Sequence, residues 1–62
     1  MKRRKLIKSI EANGWWFDHE GANHTIYTNG ERYEPIPRHP EVNEQTAKDI
    51  IRRTKQNPGS KK

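Results

Sequence analysis

The chain has 62 residues, no cysteine, and 13 Lys and Arg against 8 Asp and Glu, for a net charge of +5. That length admits one small domain with a modest core, and the missing cysteines exclude disulfides and thiolate metal sites. No apolar run approaches the roughly 18 residues of a membrane span, and no signal-peptide core follows the basic N-terminus, so a cytoplasmic protein is expected.

Residues 2–13 read as a helix. Leu6, Ile7 and Ile10 form a narrow apolar stripe, and Asn13-Gly14 is a stop signal with a glycine able to take the left-handed position. The cations crowd its first turn, where the helix dipole disfavours them. Trp15 to His19 reads as a strand, rich in aromatics. Simple alternation puts Trp15 and Phe17 on one face and Trp16 and Asp18 on the other. One tryptophan then lies off the core, as a covered sheet edge or as an aromatic surface for RNA or a partner protein.

Glu20 to Ala22 reads as a turn, Asn23–Thr28 as the second strand, Asn29-Gly30 as a hairpin turn, and Glu31–Ile36 as the third strand. Pro35 and Pro37 cannot donate to a ladder, so that strand lies at an edge or ends there. Residues 37–42 form a loop. The last helix starts near Thr46, whose Thr-Ala-Lys-Asp run has capping-box form, with Asn43 as the rival start. Ala47, Ile50, Ile51 and Thr54 make its apolar face. The expected fold class is α+β: helix, three antiparallel strands, helix, with both helices on one face of the sheet. Leu6, Ile10, Ile26, Ile50 and Ile51 are the expected core. Residues 1–55 make the single domain, and 56–62 a disordered basic tail.

Charge is segregated along these elements. Residues 1–8 carry five Lys and Arg and no acid, residues 48–62 carry six and one Asp, and 9–47 carry two Arg and seven acids. Basic ends attract polyanions by counterion release, so nucleic acid is the natural partner class. Solvated helix faces would look the same. Arg32 and Arg38 stand alone among acids and look placed for phosphate. His19, His24 and His39 with scattered acids lack any metal-ligand spacing. No P-loop, nucleophile elbow or dinucleotide signature occurs, and no cofactor is expected.

Four short motifs stand in order: Asn13-Gly14-Trp15, Gly21-Ala22-Asn23-His24, the hairpin, and Pro37-Arg38-His39-Pro40. With them the chain resembles the HicA family of bacterial toxin components, small ribonucleases of toxin–antitoxin pairs, from about Lys5 to Arg53. The resemblance implies a fold like the double-stranded-RNA-binding domain, mRNA cleavage that blocks translation, His24 as the catalytic residue, and a HicB-like antitoxin that masks the site in a hetero-oligomer. Ala22 departs from the family's usual serine. Histidine suits the chemistry, because RNA supplies its own 2′-hydroxyl nucleophile and needs only a base, an acid and positive charge. Asn23, Lys5, Lys8, Arg32 and Arg38 are the expected RNA contacts. His39 is a loop residue that could serve as substrate contact or acid, and His19 carries no such signal. A non-catalytic RNA-binding module and a protein-interaction subunit are the alternatives from other classes.

Overall fold

Helix α1 spans Arg3–Ala12 and buries Leu6 and Ile10. Its end is a Schellman closure. Gly14 N–H donates to Glu11 O at 2.9 Å and Trp15 N–H to Ile10 O at 3.1 Å, with Gly14 at φ +92°. Only glycine adopts that angle without strain. The closure turns Trp15 straight into the core, where it is buried. The helix start lacks a side-chain cap, and the loop after the sheet supplies a partner instead: Arg3 N–H donates to Pro40 O at 2.8 Å. The computed structural model of the chain describes residues 1–59.

Strands β1 (Trp16–Glu20), β2 (His24–Thr28) and β3 (Tyr33–Pro37) follow, then α2 (Glu44–Gln56). The sheet order is β1-β2-β3, and both pairs are antiparallel. The element order and fold class are those expected, and β3 lies at an edge. Pro35 and Pro37 pair with Ile26 and His24, which requires their ring nitrogens to point away from β2.

Alternation along β2 defines two faces. Thr25 and Tyr27 are buried under the helices with Glu34 and Ile36 of β3. Leu6, Ile10, Trp15, Val42, Ala47 and Ile50 complete the core. His24 and Ile26 therefore lie on the opposite, open face. This corrects the expected core. Ile26 is only half-buried, Tyr27 and Ile36 take the place assigned to it, and Ile51 packs at the margin. The domain is 14 Å across its shortest dimension, the thickness of one helical layer on one sheet.

Several local expectations also change. Trp15 precedes the strand, and it does not share an environment with Phe17, which is 50 % exposed and packs edge-on against Tyr27 with ring centroids 6.1 Å apart. The β2–β3 connection is four residues rather than two. Asn29 Oδ1 accepts from the N–H groups of Glu31 at 2.8 Å and Arg32 at 2.7 Å, so an Asx turn holds the loop and the strand starts late. Asn43, not Thr46, caps α2. Its Oδ1 accepts from Gln45 N–H at 2.9 Å and Thr46 N–H at 3.2 Å, with Glu44 in the favourable first turn.

The segment from Gln56 was expected to be an unstructured tail, but Gln56 ends α2 and both Asn57 and Gly59 are hydrogen-bonded. Asn57 O accepts from Trp15 Nε1 at 2.8 Å and from Asn29 Nδ2 at 2.9 Å. Gly59 N–H donates to Asn13 O at 2.9 Å. The rest of that expectation, residues 60–62, lies outside the described residues.

Candidate functional site

His24 opens β2 directly after a tight turn. Gly21 N–H donates to His24 O at 2.8 Å. A methyl group at Gly21 would press on that same oxygen at 3.1 Å, so the turn leaves little room for a side chain there. The His24 ring is exposed, and among the described residues its nitrogens have no hydrogen-bond partner within the chain.

Arg38 locks the turn from the other side. Its Nη2 donates to Glu20 Oε1 at 2.8 Å, Gly21 O at 2.5 Å and His24 O at 3.2 Å. Its Nε also donates to Glu20 Oε1, at 3.1 Å, and its Nη1 to Ala22 O at 3.2 Å. Glu20 Oε1 further accepts from Thr25 Oγ1 at 3.0 Å. Thr25 Oγ1 in turn accepts from Arg3 Nη2 at 2.9 Å, and Arg3 Nε donates to Pro37 O at 2.8 Å. A chain of side chains thus runs from the start of α1 to the tip of the β1–β2 turn. Arg38 and Thr25 beside Glu20 hold its carboxyl below the usual value, with the Arg38 hydrogen bond as the larger cause.

Sequence reasoning missed Arg3, Glu20 and Thr25. No local spacing pairs Glu20 with Arg38, and only the antiparallel register brings them together.

The other expected site residues are dispersed. Asn23 sits in the turn, exposed beside His24. Arg32 lies in the loop at the far end of β2, about 13 Å from His24 along a strand of this length. Lys5 and Lys8 belong to the helical layer. With Leu6 facing the core, Lys5 projects roughly 100° to its side and Lys8 roughly 200° round, so neither converges on His24. Lys2, Arg3 and Arg4 line a shallow depression with Pro40, next to His39 in the chain.

The open face of the sheet carries Trp16, His19, His24, Ile26 and Tyr33. Trp16 and Tyr33 both pair with Thr28, so they flank one position of β2, and Tyr33 is 62 % exposed. Trp16 is the tryptophan off the core. Among the described residues no three of His, Cys, Asp and Glu converge in a metal-binding group.

The family model of the HicA toxin of bacterial toxin–antitoxin systems matches residues 3–56. The chain belongs to the HicA toxin family. No curated protein and no solved structure matches it. Membership makes this HicA-family chain a toxin of a toxin–antitoxin system, and its matched span covers all five elements of the fold. No helix among the described residues is long and apolar enough to cross a membrane.

Proposed function

We propose that this HicA-family toxin is a metal-independent endoribonuclease that cleaves mRNA and so blocks translation, with His24 as general acid/base. The supporting observation is the setting of His24: an exposed imidazole on a backbone held by Gly21 from one side and Arg38 from the other. The held backbone fixes where the ring is anchored, and its exposure leaves both nitrogens open to RNA; histidine is the residue type suited to general acid and base work. The Arg38 Nη1–H left over from the turn is the cationic donor beside His24, while Arg32, at the far end of β2, and Lys5 and Lys8, on the helical layer, hold RNA backbone away from the scissile linkage. Asn23 offers an amide beside the scissile linkage. Bases stack on Trp16 and Tyr33, which suits single-stranded RNA. The antitoxin is a HicB-like protein that covers His24 in a hetero-oligomer in the cytoplasm.

The test is RNA cleavage in EDTA by the parent and by His24→Ala. The variant should lose about 10²–10⁴-fold in rate, about 3–5 kcal/mol of barrier, while RNA affinity changes far less. The exposed ring can be removed without opening the core, so the melting temperature should hold. His24→Gln, which cannot exchange a proton near neutral pH, should be equally inactive. A His24→Ala protein that cleaves at the parental rate would remove the assignment.

A further inference from the structure

Strand β1 contains a β-bulge, and the bulge decides where His19 points. Phe17 pairs with Tyr27, and the next paired residue, His19, is opposite Ile26. One residue, Asp18, is therefore extra on the β1 side. Without it, alternation from Phe17 would turn His19 toward the helices. With it, His19 shares a face with Ile26, and hence with His24. The register places His19 and His24 as diagonal neighbours on adjacent antiparallel strands, a relation that spans about 7–8 Å. The extra residue also has a partner: Asp18 Oδ2 lies 2.5 Å from His19 Nδ1. With Nδ1–H donated to the carboxylate, the ring is held by that contact, and Nε2 has no partner among the described residues.

The geometry points to His19, oriented by Asp18, as a second catalytic residue that works opposite His24 on a single RNA phosphate. This rests on the endoribonuclease reading above. His24 takes the proton of the 2′-hydroxyl as the O2′–P bond forms. The P–O5′ bond breaks, and the departing O5′ takes the Nε2 proton of the His19 imidazolium, whose Nδ1–H stays on Asp18. The products are a 2′,3′-cyclic phosphate and a free 5′-hydroxyl, and the two rings return to their starting states by proton exchange with water. Asp18 is a positioning residue, since it acts only through the ring it holds.

Leaving-group chemistry tests this in the full chain. An RNA oligonucleotide that the parent cleaves is prepared with sulfur in place of the 5′-bridging oxygen at the mapped cleavage site. A thiolate leaves without a proton, so it bypasses an acid but not a base. His19→Ala and His19→Gln should cleave the oxygen substrate about 10²–10⁴-fold more slowly and the sulfur substrate within a few-fold of the parent. His24→Ala should lose both. Asp18→Asn should lower kcat on the oxygen substrate with KM little changed.

Parental rates in His19→Ala on the oxygen substrate would overturn the inference alone. So would equal slowing on both substrates, which would mark a merely structural role, or sulfur rescue in His39→Ala instead. A parent that cleaves no RNA would overturn the endoribonuclease reading and this inference with it.

Discussion

At the scale of single residues, one carboxylate oxygen organises the turn that carries His24. Glu20 Oε1 accepts from Arg38 and from Thr25, and Thr25 passes the connection to Arg3. Because these partners favour the ionised form, the Glu20 carboxyl titrates below its ordinary 4.5. Its contribution to folding is then full above that ordinary value and is lost as pH falls through the lowered one. Amide exchange followed by NMR should show the Gly21 N–H losing protection as pH drops below about 4.5, before the core residues do. In Glu20→Gln that local loss should no longer depend on pH over the same window. An unchanged pH profile in the variant would show that another group governs the turn.

Between elements, Trp15 joins the end of α1 to the end of α2. Its Nε1–H donates to Thr54 O at 3.1 Å and to Asn57 O at 2.8 Å. Thr54, fully buried, accepts from Asn13 Nδ2 at 3.1 Å and donates to Ile51 O at 2.9 Å. Trp15→Phe keeps an aromatic ring but removes a buried donor from two carbonyls. Urea unfolding should show a loss of about 1–3 kcal/mol, with cleavage per folded molecule unchanged because His24 lies on the other face of the sheet. A loss of activity out of proportion to stability would mean that the helix ends communicate with the open face.

For the whole molecule, the segment after α2 contributes to the fold. A chain ending at Lys55 would lack the Asn57 carbonyl that receives Asn29 and Trp15 and the Gly59 N–H that reaches Asn13. Thermal unfolding should place it below the parent by about 1–3 kcal/mol; an equal melting temperature would show these contacts to be dispensable. The charge pattern makes its own prediction. If the cations contact about four phosphates of single-stranded RNA, the log–log slope of affinity against salt should be about −3. A slope near zero would remove the electrostatic part of the RNA-binding proposal.

Read along the chain, the sequence carries the element order, the stop at Asn13-Gly14, the prolines that limit pairing of β3 and the α+β class. Each depends on a few neighbouring residues: a glycine at positive φ, prolines that cannot donate, an apolar period of one face. It also singled out His24, through a resemblance carried by short motifs in order. Which side of each strand meets the helices depends on the assembled core. Ile26 and Tyr27 are adjacent and both apolar enough to be buried, and the choice between them is made by the register with β3 and by Leu6 and Ile10 above. The same holds for the single extra residue in β1, invisible as a pattern because any residue can occupy a bulge, which turns His19 to the face of His24. Glu20 and Arg38, 18 residues apart, meet only because two antiparallel pairings close the same end of the sheet. Local rules act through backbone conformation and can be read along the chain. Facing and pairing depend on where a second strand or helix lies, and that is fixed only when the core is assembled.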